Sequence, residues 1–227
     1  MVRYFESTHR YKYNWEQVVR AFWCRYPNPC SEHVLSEDVI DRFIDSKGRL
    51  CTKRMLSKTN RVPKLASILI GESFNNLVYI IEESVLDPIN KIFVTYTRNI
   101  QMQRLMTIHE KVTYRKSAEN SQWTEEERKA RIASNVFGSS KIEAFGVNRF
   151  KQNVNKTYKG FHMVLDAMFA KYSNSETNLE IISKLHPLLK ERFKEGAKNL
   201  KEVAKSKAVP IVSAAANSIS TNREEKH

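Results

Sequence analysis

The chain has 227 residues and carries 38 Lys and Arg against 25 Asp and Glu, a formal charge of +13. That length allows one domain with a closed core and an appendage, and the charge attracts polyanions: nucleic acid, an anionic membrane or an acidic ligand. No apolar run approaches the roughly 20 residues that span a bilayer, since Leu77 to Leu86 is broken by Glu82 and Glu83, and Cys24, Cys30 and Cys51 lack the paired spacings of a disulfide framework or zinc site.

In chain order, the opening Met-Val-Arg-Tyr-Phe-Glu has neither a secretory core nor a long acid-free presequence, and residues 2–13 read as a strand. Asn14 with Gln17 three positions on forms a capping box, so a helix starts there. Trp15, Val18, Val19, Phe22 and Tyr26 give it one apolar face, and Pro27 stops it with Arg25 near its C-terminal end. Period-two segments follow at 33–44 and 50–58, joined by the turn Asp45-Ser46-Lys47-Gly48, and then at 77–86, 91–99, 106–116 and 123–133. These predict an antiparallel sheet of six or seven strands.

The connection from Lys58 to Leu77 is far longer than a hairpin needs. Arg61, Val62, Pro63, Leu65, Ile68 and Leu69 lie in it, apolar residues mixed with cations, a composition suited either to a lid over an apolar mouth or to a short helix packed on the core. From about Ser134 the period becomes helical. Phe150, Val154, Phe161, Leu165 and Met168 form a stripe able to lie across the sheet, while Ile142, Phe145, Arg149, Asn153 and Lys156 share a second face that is apolar at one end and cationic at the other. That face either lines a cavity or meets solvent after a bend near Gly146. The fold class is α+β: a curved antiparallel sheet closed by a long C-terminal helix and a lid loop, with a ligand cavity between them. The folded domain covers 1–172, and 173–227 form an amphipathic or partly disordered tail.

No zinc-finger spacing, RNP-like aromatic motif, Gly-rich phosphate loop or Gly-x-Ser-x-Gly elbow is present, so nucleic-acid binding rests on charge alone and no catalytic set is organised. No cofactor or metal is expected. One series of motifs is more specific: Arg25-Tyr26-Pro27-Asn28-Pro29, Ser31-Glu32-His33-Val34-Leu35-Ser36-Glu37-Asp38, Lys58-Thr59-Asn60-Arg61-Val62-Pro63, Asp87-Pro88, Thr95-Tyr96-Thr97-Arg98-Asn99, Arg149-Phe150 through Asn153 to Lys156, and Gly160-Phe161. In this order over residues 1–172 the chain resembles the PRELI domain family. Leu65 departs from the pattern, where many relatives have Trp.

The resemblance implies a carrier, not an enzyme, that moves phosphatidic acid across the mitochondrial intermembrane space, peripherally associated with anionic membranes. It also implies a small helical partner of the twin-cysteine type. Arg25, Lys58 and Lys156 are the implied cations at the phosphate, with His33, Arg149 and Asn153 nearby. A phosphate monoester approaches two negative charges and cannot enter an apolar cavity without such cations. A phosphatidylserine or other anionic-phospholipid carrier, and a lipid-modifying enzyme, are the alternatives.

Overall fold

The two periodicities of the sequence become two layers in the computed structural model, which describes residues 2–59, 77–101, 103, 106–134 and 140–169 (the backbone only at 140–142). Among the described residues, period two builds β1 (Val2–Tyr11), β2 (Val34–Ile44), β3 (Leu50–Thr59), β4 (Leu77–Asp87), β5 (Ile92–Asn99), β6 (Thr107–Lys116) and β7 (Thr124–Ala133). Helical periodicity builds α1 (Trp15–Phe22) and α2 (Ser140–Phe169). The expected lid residues Arg61, Val62, Pro63, Leu65, Ile68 and Leu69, and the expected tail over 173–227, lie outside the described residues.

All seven strands form one antiparallel sheet in the order β1-β7-β6-β5-β4-β3-β2. Strands β2 to β7 are a meander, as the turn spacing predicts, but β1 pairs with β7 and lies at the edge opposite β2. The connection through α1 therefore crosses the whole sheet. No local signal in the sequence encodes that long-range pairing.

Helix α1 starts as predicted: the Asn14 side chain accepts from the Gln17 backbone at 2.9 Å and the Gln17 side chain accepts from the Asn14 N–H at 3.0 Å. It ends earlier than predicted, at Phe22 with Trp23 as cap. Pro27 pushes Tyr26 out of the helical region, so the last turn cannot reach it. Arg25 consequently stands just past the helix, in a turn where its N–H points to the Phe22 carbonyl at 3.4 Å. Helix α2 runs through Gly146 without a break in its helical span.

The core lies where α1 and α2 meet the inner sheet face. Tyr11, Phe22, Phe93, Ile132, Val164 and Leu165 are fully or almost fully buried. Phe22 meets Phe93 edge-on at 4.6 Å, Tyr11 meets Phe161 at 5.3 Å, and Phe5 meets Phe150 at 5.4 Å. Each such side chain contributes about 1.5–3 kcal/mol of burial. The inner face is not uniformly apolar, however. Arg54, Glu82, Glu126 and Arg128 point inward and are buried there, and buried charge needs partners.

Candidate functional site

A cavity of about 280 Å³ opens between the inner sheet face and α2. Leu56, Val78, Ile80, Ile108 and Val112 give it an apolar wall from the sheet, and Phe145, Phe150, Val154 and Phe161 supply the wall from α2. Of the implied headgroup residues, Arg25, His33, Lys58, Arg149 and Asn153 all line it. Lys156 does not: it is exposed, near enough to His33 to act on its charge but outside the lining. On α2, Phe145, Arg149 and Asn153 therefore face the cavity together, with the polar pair nearer the helix middle.

Arg25 is buried, not a surface residue at a helix end. Its guanidinium carbon sits 3.7 Å from the Phe22 ring centroid, and its Nη2 donates to Glu82. Glu82 also accepts from Arg54, Nε at 3.1 Å and Nη2 at 2.5 Å, while Arg54 Nη1 reaches Glu37 at 2.8 Å. Two guanidiniums thus share two carboxylates. Burial alone would push the Glu82 carboxyl up, but Arg25 and Arg54 more than offset it and hold it below its ordinary value. One Arg25 donor is left over: Nη1 is buried with no hydrogen-bond partner among the described residues.

The turn that holds Arg25 is clasped to α2. Asn28, itself buried, donates from Nδ2 to the Arg25 carbonyl at 2.6 Å and accepts the Cys30 N–H on Oδ1 at 3.0 Å. A Cβ on Gly160 would stand 2.2 Å from Asn28 Oδ1, so only glycine lets α2 approach this close. The Asn28 and Gly160 motifs of the sequence meet here in space.

A second group forms around Lys58. The His33 carbonyl accepts the Thr59 N–H at 2.8 Å, which places His33 beside the end of β3. Burial lowers the Lys58 pKa, Glu110 pulls it part of the way back, and Arg149 lowers it by less. Glu110 is already engaged by Arg128, which also binds Glu126 at 2.8 Å. His33 is lowered by burial and then by Lys58, Lys156 and Arg149. This end of the cavity holds positive groups that push on one another.

Glu82, Glu110, Glu126 and Arg128 also line the cavity, and sequence reasoning missed all four. Glu126 accepts from Tyr11 at 2.6 Å and from Arg128. Burial would raise its carboxyl, yet Arg128, His9 and Tyr11 bring it down to about 2. The available signal was a charged residue at one or two inward positions of an otherwise alternating strand, Glu82 in β4, Glu110 in β6 and Glu126 with Arg128 in β7, which in a single sequence looks like an ordinary solvated face. Among the described residues no cluster of His, Cys, Asp and Glu could hold a metal, and no helix is long and apolar enough to cross a membrane.

Comparison with known proteins fits this architecture. A PRELI-like family model matches residues 16–172. PRELI domain-containing protein 1, mitochondrial, of Bos taurus is 45% identical over 166 residues, covering 73% of this chain and 76% of that protein. Protein UPS1, mitochondrial, of Saccharomyces cerevisiae is 36% identical over 169 residues, 74% of this chain and 95% of that protein. Among solved structures, an aromatase/cyclase from a Streptomyces strain aligns with TM-score 0.50 at 9% identity, covering 75% of this chain and 98% of its own, a likeness of fold alone. With a matching model over most of its folded part and relatives at this identity, the chain belongs to the PRELI-like family.

Proposed function

We propose that the protein is a lipid carrier that takes up one phosphatidic acid molecule and moves it between the outer and inner mitochondrial membranes, without covalent chemistry. The observation that carries this reading is the Lys58 group. Lys58 and His33 line the cavity beside its apolar walls and are held below their ordinary pKa chiefly by burial, to which Arg149 adds at both and Lys156 at His33. An anion placed among them relieves both. The unpartnered Arg25 Nη1 offers a further donor on the same lining. Guanidinium and ammonium groups bind phosphate oxygens well, the first as a fork and the second as a point charge that releases readily.

The apolar walls take the upper part of the acyl chains, and the chains leave along the Met106–Phe145 end of the lining. The mitochondrial setting follows from the names of the relatives. A small twin-cysteine helical partner belongs to the same reading. Edge strand β2 exposes Leu35, Val39, Ile40, Phe43 and Ile44, an apolar edge in need of a cover.

Fluorescent-lipid transfer between vesicles tests the proposal, with phosphatidic acid, phosphatidylserine and phosphatidylcholine run side by side and the lipids analysed afterwards. Transfer of intact phosphatidic acid in preference to phosphatidylcholine is expected. Preferred transfer of phosphatidylserine would reassign the headgroup, with Glu110 as the acceptor for its ammonium, and a chemically altered product would replace the carrier with an enzyme.

A further inference from the structure

The two faces of the sheet meet at the end of the molecule where β5 and β7 finish and β6 and β1 begin. Thr97, Arg98 and Glu110 border both the cavity and a shallow depression of about 400 Å³ on the outer face. Strand register sets Arg98, His109, Arg131 and Tyr4 side by side across β5, β6, β7 and β1, a row about 14 Å long at the usual strand spacing. Two residues further along the strands, Tyr96, Lys111 and Lys129 form a parallel row. Lys129 is paired with Glu127 at 2.7 Å. Among the described residues Arg98, Lys111 and Arg131 make no ion pair, although Lys111 lies 5.6 Å from the Tyr96 ring centroid.

The same end exposes apolar and aromatic side chains. Tyr4 is 73% exposed and Tyr96 47%, and Ile100, just past the end of β5, is 41% exposed. Solvated cations alternating with exposed Tyr and Ile are the composition that favours a lipid–water interface: the charges meet anionic headgroups and the rings settle at headgroup depth. We propose that this rim is the face on which the protein docks to an anionic bilayer. The inference rests on the carrier reading and gives it an orientation. Docking here sets the cavity's Met106–Phe145 end beside the membrane, so a lipid enters without crossing open water. An acidic protein or a nucleic acid would use the charge but would gain nothing from the adjoining cavity or from Ile100.

The test is sedimentation of the full chain with vesicles of phosphatidylcholine alone and of phosphatidylcholine mixed with phosphatidylglycerol. Combined Lys111→Glu and Arg131→Glu, both on the outer face and neither lining the cavity, is compared with Lys47→Glu and Lys116→Glu, exposed cations with the same change in net charge. The rim variant should lose at least about tenfold in affinity for the mixed vesicles. The control should lose much less. Tyr4→Ser with Tyr96→Ser should weaken binding while leaving its salt dependence unchanged. Equal losses in rim and control variants, or wild-type binding by the rim variant, would overturn the assignment. So would a rim variant that keeps its vesicle affinity but no longer binds polyglutamate or single-stranded RNA, which would give the face to one of those partners. Native mass spectrometry of the same samples separates the two readings. Rim-dependent binding by protein that never carries phospholipid leaves the docking face standing and removes the carrier.

Discussion

Two charged regions of one cavity behave oppositely. Around Arg25 and Arg54 every strong charge has an internal answer in Glu82 and Glu37. Around Lys58 and His33 burial pushes both groups toward their neutral forms, and one carboxylate, Glu110, stands against the cations Arg149 and Lys156. The first arrangement holds the protein together; the second awaits a ligand. A buried balanced network contributes specificity of structure and fails badly when one member is removed, whereas a cavity end that is too positive costs stability until an anion fills it.

The comparison breaks most sharply at Glu82. Glu82→Leu strips the counter-ion from two buried guanidiniums and should destabilise by about 3–5 kcal/mol, seen as a large fall in the urea midpoint. A small change would mean that the network is not a structural unit. Gly160→Ala comes next, because its methyl group collides with the Asn28 side chain that braces Arg25. A loss of about 1–3 kcal/mol is expected, together with weaker lipid binding. Full stability would show that the clasp gives way freely.

At Lys58 the sign reverses. Its folded pKa lies below the unfolded value, so carrying its charge costs stability in the empty protein, a cost fully present below the folded pKa and lost as pH rises through the unfolded one. Lys58→Met should leave the empty protein's melting temperature unchanged or raise it. A clear fall would contradict the two-region account. The smallest effect concerns His33, whose folded pKa is also lowered. The unfolded chain then binds more protons, and stability present above the unfolded value of about 6.5 is lost as pH falls toward the folded pKa. Bound phosphatidic acid should shrink this loss and His33→Asn should abolish it, as followed by thermal unfolding from neutral to mildly acid pH.

Much of the scaffold was legible because it is local. Alternation and turn chemistry placed six meander strands within one residue of their observed ends, and Asn14 with Gln17 fixed the start of α1. The β1–β7 pairing was not legible, since nothing in Val2–Tyr11 names its partner. Nor was the early end of α1, where the backbone constraint from Pro27 outweighed the apolar face that includes Tyr26. Of the site, Arg25, His33, Lys58, Arg149 and Asn153 line one cavity, and Lys156 does not. Glu82, Glu126 and Arg128 escaped notice because a charged strand residue is read as solvated unless its register is known. Arg25 was consequently read only as a cation for the phosphate, when it is also one arm of a shared ion network.

The most direct test of the central claim is native mass spectrometry of the wild-type protein and of Lys58→Met after incubation with vesicles containing phosphatidic acid, phosphatidylserine and phosphatidylcholine. The account predicts that the wild type retains a single anionic phospholipid, phosphatidic acid above the others, and that Lys58→Met, folded and at least as stable when empty, retains at least about tenfold less. Equal retention by the two proteins, or a wild type that selects phosphatidylcholine, would contradict it.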